Sequence, residues 1–161
     1  MIPYSISVPI TFGIAINGVH IDPFAGEWYN HDPTSGWQLA ALASPLGFDE
    51  NNAHVQREGS YHYHGVPMAL LTGKDRPELI GFAGDGFPIY GPYGYKYAWD
   101  LSSEIVELKS SYRLNSGERP GGPGGSYDGT YVEDYEYIDG AGDLDECNGR
   151  TGVTPEYPDG M

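Results

Sequence analysis

Apolar and polar positions alternate along this chain in short stretches, and almost none repeats at helical spacing. Phe12 to Ile21 holds two such stretches around Asn17-Gly18, a dipeptide that favours a tight hairpin turn. Pairing Ile16 with Val19 across that turn predicts two short strands, the second ended by Asp22-Pro23. Trp37 to Leu42 fits one or two helical turns or a strand, and either ends before Pro45. Met68 to Leu71 is a short apolar segment. Pro77 to Phe82 predicts a buried strand, and Phe87 to Tyr90 a second one beyond the Asp85-Gly86 turn. Ser103 to Leu108 and Ser110 to Leu114 alternate more weakly. Thr130 to Ile138 alternates cleanly. Tyr131, Glu133, Tyr135 and Tyr137 fall on one face, and Val132, Asp134, Glu136 and Ile138 on the other, as in an exposed strand with an aromatic side.

Glycine (24) and proline (13) are too frequent among 161 residues for long helices. Gly117 to Gly129 is dominated by both, and no Gly-Lys-Ser/Thr closes it, so it is a long loop rather than a phosphate cradle. No linker and no repeat of fixed period divides the chain. The expectation is mostly β: one compact domain over residues 1–161, with short antiparallel strands in a distorted sandwich or barrel and long Gly/Pro-rich loops.

Charge narrows the partners. Eight Lys plus Arg against 23 Asp plus Glu give a net charge of -15, which repels nucleic acid and anionic membrane surfaces. It suits an extracellular protein or one that gathers cations. No apolar run approaches the roughly 18 residues of a membrane span. Met1 to Thr11 carries no Lys or Arg and is broken by Pro3 and Pro9, so it does not qualify as a signal peptide. The single cysteine, Cys147, cannot form an internal disulfide and excludes zinc sites built from several thiolates.

The chemistry concentrates in His54 and in Tyr61-His62-Tyr63-His64, which flank Arg57-Glu58-Gly59. If those three residues form a loop with Gly59 left-handed, Gln56 faces Ser60, Val55 faces Tyr61 and His54 faces His62. Period-two alternation then puts His54, His62 and His64 on one face, where neutral imidazoles can meet one ion. A two-residue loop, Glu58-Gly59, pairs Val55 with His62 instead and sends His54 to the opposite face. Asp85 is a candidate fourth ligand or supporting group, with Asp49, Glu50 and Asn52 as alternatives. Asp85 also fits a simple turn cap. Three imidazoles favour zinc, copper, iron or nickel over calcium or magnesium, with zinc or copper foremost. A histidine cluster without metal remains the alternative.

Further along, Asp139, Asp143, Asp145 and Glu146 crowd a glycine-rich stretch. They offer hard oxygen ligands to calcium, without the EF-hand spacing, or form a solvated acidic turn that Arg150 ties down through one carboxylate. Cys147 fits a structural or disulfide role better than a nucleophile. Trp28, Trp37, Trp99 and the tyrosines at 131–137 fit either core and sheet surface or a platform for sugar or peptide.

Several long motifs resemble the YHYH domain family, named for Tyr-His-Tyr-His. They are Asn17-Gly18-Val19, Leu46-Gly47-Phe48-Asp49, Asn52-Ala53-His54-Val55, Gly59 to Pro67, and Gly81 to Tyr90 with Asp85-Gly86-Phe87-Pro88-Ile89-Tyr90 at its centre. They continue through Ser110 to Leu114, Tyr127 to Thr130, Leu144 to Arg150 and Thr154 to Pro158. The resemblance covers nearly the whole chain and implies a secreted, periplasmic or cell-surface bacterial protein of no established activity. It points to His54, His62, His64, Asp85 and the Asp145 to Arg150 stretch. It also implies a further Tyr-His-Tyr-like segment and a later cysteine beyond Gly160, neither present here, which would supply another ligand and a partner for Cys147. The leading expectation is an extracellular metal-binding domain, its ion structural or catalytic. Its rivals are an adhesion or interaction module with a cell-surface or extracellular partner, and a metal-dependent hydrolase or oxidoreductase acting on an unknown small molecule.

Overall fold

The computed structural model describes residues 12–161, so the stretch Met1 to Thr11 discussed above lies outside the described residues. The chain forms twelve short strands among them: β1 (Gly13–Ala15), β2 (His20–Ile21), β3 (Phe24–Trp28), β4 (Gln38–Ala40), β5 (Ala53–Val55), β6 (Tyr61–Tyr63), β7 (Leu79–Ala83), β8 (Pro88–Tyr90), β9 (Tyr93–Tyr95), β10 (Ile105–Glu107), β11 (Tyr112–Leu114) and β12 (Tyr135–Tyr137). Helical structure is limited to single 3₁₀ turns, as the glycine and proline content dictates.

Six strands form one sheet in the order β5-β6-β2-β1-β7-β8, with β5 and β8 at its open edges, so the sheet does not close into a barrel. Every pairing in it is antiparallel except β2 with β6, which run parallel. Three two-stranded ribbons, β3–β4, β9–β10 and β11–β12, surround it. The core on this sheet is small. Ala15, Ile21, Ala53 and Tyr63 are buried together, and Val19, Leu70 and Ile89 pack against them.

One turn geometry recurs. In Ala15–Val19, Gln56–Ser60 and Ala83–Phe87 the first residue's carbonyl accepts from the amide three positions on, and its own amide donates to the carbonyl four positions on. The residue before the last is glycine with a left-handed backbone: Gly18 at φ 83°, Gly59 at 92° and Gly86 at 92°. Only glycine enters that region without a Cβ clash. The Asn17-Gly18 turn is therefore three residues long rather than two. Ala15, not Ile16, faces Val19, and the register runs through Ile14 opposite His20.

Thr130 to Ile138 departs from the clean alternation. A 3₁₀ turn at Val132–Asp134 interrupts it, and only Tyr135–Tyr137 pairs as a strand. The cause is Asp134, which is 0 % exposed. Its two oxygens accept from Arg119 Nε at 2.7 Å and Nη2 at 2.6 Å, and one also accepts from the Gly129 amide at 2.9 Å. Arg119, in the glycine-rich loop, lies over the Tyr131 ring at 5.2 Å and near Trp37 at 6.0 Å. This bidentate pair gathers the loop, the ring of Trp37 and the turn into one packed unit, so Trp37 and Tyr131 serve structure here.

Candidate metal centre

The hairpin β5–β6 is fixed at both ends before its histidines are considered. At the closed end, Gly59 takes the left-handed position and Gln56 pairs with Ser60. At the open end, Asp49 accepts from the amides of Asn51 (2.8 Å) and Ala53 (3.1 Å) and from the Tyr61 hydroxyl (2.6 Å). One carboxylate therefore holds both strands. That bond pushes the Tyr61 phenol up to about 12. Tyr63 turns into the core, where its hydroxyl accepts from Asn17 Nδ2 at 2.9 Å. The resulting register places His54 opposite His62, Val55 opposite Tyr61 and Ala53 opposite Tyr63. It is the register of the three-residue loop, and the His64 amide continues it by donating to the Asn52 carbonyl at 2.8 Å.

His54, His62 and His64 converge. His54 Nε2 lies 3.2 Å from His62 Nε2 and 3.2 Å from His64 Nε2, and the ring centroids are 4.5 to 5.0 Å apart. His62 and His64 are 3 % and 6 % exposed, His54 more so. Phe48 closes the outside of the cluster, its ring edge-on to His54 at 5.4 Å and His64 at 5.3 Å.

Protonation follows from this enclosure. Burial is the main force lowering the His64 pKa, to about 4, and the neighbouring His62 and His54 add to it against an opposing pull from Asp22. Burial also lowers His54, with His62 adding and Glu27 opposing. Both rings are thus held neutral at physiological pH, the form that ligates metals. Beside them, His62 Nδ1 faces the Ser60 carbonyl at 3.3 Å. A proton on Nδ1 there leaves Nε2 with its lone pair aimed at the centre. His64 Nδ1 is buried without a hydrogen-bond partner among the described residues.

The geometry fits an ion. Metal–nitrogen bonds of about 2.0–2.1 Å at tetrahedral angles put ligand nitrogens about 3.3 Å apart, close to the 3.2 Å seen here. Hydrogen bonding alone does not satisfy the trio. A neutral Nε2 offers one proton or one in-plane lone pair, so His54 Nε2 can serve one neighbour and not both. These three are the histidine, cysteine or carboxylate group that could hold a metal ion among the described residues.

Asp85 is not brought to this centre. It sits in the β7–β8 turn, with β2 and β1 between β7 and the histidine hairpin, and its carboxylate accepts from the Phe87 amide at 3.2 Å. It is a turn cap. Asp49 is committed to its own turn and to Tyr61, Asn52 Nδ2 donates to the Val66 carbonyl, and Glu50 does not join the group either. Among the described residues the acidic stretch joins no assembled calcium cage. Asp145 accepts from the Cys147 and Gly149 amides, Asp143 from the Lys109 amide, and Asp139 from the Tyr137 hydroxyl. Arg150 pairs with none of them. It donates to the carbonyls of Tyr95 (2.7 Å) and Lys96 (2.9 Å), and so ties the end of the chain to β9. Cys147 is exposed.

The histidines open onto a cleft of about 460 Å³. Its lining also includes Asp22, just past β2, and Phe24, Gly26 and Glu27 on β3, together with Leu46 and the hairpin residues Val55, Gln56 and Arg57. Nothing in the pattern of the chain points to Asp22 or Glu27. They arrive because β2 pairs in parallel with β6, its register setting His20 beside His62, and the next strand folds over the histidines. Parallel pairing of two- and three-residue strands leaves no periodic trace.

A family model described as "YHYH protein" matches residues 3–161. No curated protein and no solved structure matches the chain.

Proposed function

The chain belongs to the YHYH family, and from that premise and the convergence of three imidazole nitrogens we propose that it binds a transition-metal ion through His54, His62 and His64. The observation that carries the reading is the pair of 3.2 Å contacts that His54 Nε2 makes with the other two rings. Neutral rings can each turn an unprotonated nitrogen to an ion held among them, whereas no arrangement of their own protons lets His54 Nε2 hydrogen-bond to both neighbours. Nitrogen ligands of this softness favour zinc or copper over calcium or magnesium.

The site's position on a cleft supports an open rather than a closed centre. Three protein ligands leave a coordination position free, and a bound ion with a free position supplies Lewis-acid or redox chemistry. The chain's own contributions are distinct from that. His62 is oriented by the Ser60 carbonyl, Phe48 shields the rings, and burial keeps His64 unprotonated. Asp22 and Glu27 set negative charge beside the open face. A hydrolase or oxidoreductase built on this centre is the finer reading, and the metal is its first requirement.

Elemental analysis of protein purified without added chelator tests the proposal. About one equivalent of a single transition metal is expected in the wild type and next to none in His62→Ala. Protein that carries no metal, and takes up neither Zn²⁺ nor Cu²⁺ on titration, would falsify it.

A further inference from the structure

The lining of the cleft beside the histidines carries both signs of charge. Among the described residues its one cationic side chain is Arg57, exposed at the hairpin turn. The ion pairs found among the described residues use Arg76, Lys96 and Arg119, so Arg57 is left without one in a chain of net charge -15. The same lining holds Asp22, which acts electrostatically on His64, and Glu27. Glu27 takes part in none of those ion pairs, yet acts on His54 electrostatically from β3. It also holds apolar surfaces that water would not choose: Phe24 is 52 % exposed and Val55 58 %.

From this arrangement we propose that the cleft takes a small zwitterionic molecule of the amino-acid or short-peptide class. Its carboxylate turns to the metal and Arg57, its ammonium to Glu27 and Asp22, and its carbon chain crosses Phe24 and Val55. The proposal rests on the metal reading above and names what the open coordination position receives. An anion alone leaves two carboxylates facing it without a partner, and a cation alone is repelled by the ion and Arg57. A molecule carrying both charges satisfies both signs of the lining. The cleft volume of about 460 Å³ is in the range of small-ligand sites and suits a ligand of one or two residues' size.

Protein loaded with Co²⁺ provides the test, because the visible absorption of the bound ion reports what enters its open position. The probes are two matched pairs, 4-aminobutyrate with butyrate and 6-aminohexanoate with hexanoate, which differ only in the ammonium group. Co²⁺ content is measured in every variant so that each response is read per bound ion. In at least one pair the amino acid is expected to shift the spectrum at about tenfold lower concentration than its partner, the worth of one charge-assisted hydrogen bond. Arg57→Ala is expected to weaken both members of that pair, and Glu27→Gln only the amino acid. Equal responses within both pairs, no response from a fully loaded protein, or a preference that survives Glu27→Gln would each overturn the zwitterion proposal and leave the metal reading standing. Failure to take up Co²⁺ at all overturns both.

Discussion

At the scale of single residues, the histidines were legible and their surroundings were not. Glycine at position 59 told against the two-residue loop, and with it the register that sets His54 opposite His62. What no pattern reveals is the degree of enclosure. His62 and His64, at 3 % and 6 % exposed, are as enclosed as the buried apolar residues, although Asp22 reaches His64 from a distant stretch. Enclosure has a consequence for pH. The folded-state pKa of His64 is about 4, below the ordinary value of 6.5. Between those values the unfolded chain binds a proton that the folded chain refuses, so folding loses free energy as acid is added. Metal-free protein is therefore expected to hold its stability above about pH 6.5 and lose part of it progressively down to about pH 4. Urea midpoints measured at intervals across that window, in wild type and in His64→Gln, check this. The wild-type midpoint should fall with acid and the variant's should fall less. Identical slopes would show that this ring is not held neutral by the fold.

At the scale of elements, the chain announces its turns better than its strands. Three hairpins share a left-handed glycine at the same place, and each could be located from the sequence, although the first was one residue longer than Asn-Gly alone suggests. Strands of two to five residues carry too few positions for alternation to discriminate. The long alternating run at 130–138 was the most persuasive signal, and it broke at Asp134. The alternation placed that residue opposite the aromatic face, whereas the fold buries it against Arg119 from a loop that reads as unstructured. Arg119 holds the Asp134 carboxyl well below the usual carboxylate range. Removing Asp134 leaves the buried guanidinium with only the exposed Asp128 as a charged partner, at a cost of up to about 3–5 kcal/mol. Asp134→Ala is accordingly expected to lower stability by that order and to free the 117–129 loop. Chemical denaturation and limited proteolysis at that loop measure the two effects. The histidine hairpin lies in a different sheet, so metal uptake by any folded fraction should persist. A stability change below about 1 kcal/mol would mean that Asp128, which also accepts from Arg119, takes over the pairing.

At the scale of the whole molecule, the small core and the metal centre are two faces of one problem. Among the described residues the buried apolar cluster on this sheet consists of two alanines, an isoleucine and a tyrosine, with three partly buried neighbours. The six-stranded sheet is long in strand number and short in strand length, and its β5 edge is held by one hairpin. An ion bridging His54 on β5 to His62 on β6 and to His64 just beyond it would clamp that edge. Mass action then fixes the sign and size of the effect. A ligand that binds only the folded state stabilises it by about 2.7 kcal/mol at a free concentration one hundred times its dissociation constant. Adding Zn²⁺ to metal-free protein should raise the midpoint of thermal unfolding by several degrees, in proportion to the logarithm of free Zn²⁺. His54→Ala should abolish the dependence without requiring the rest of the sheet to unfold. A midpoint indifferent to Zn²⁺ in a protein that binds it would mean that the ion also binds the unfolded chain as tightly. The histidines, spaced closely along it, would then owe their convergence to the fold alone.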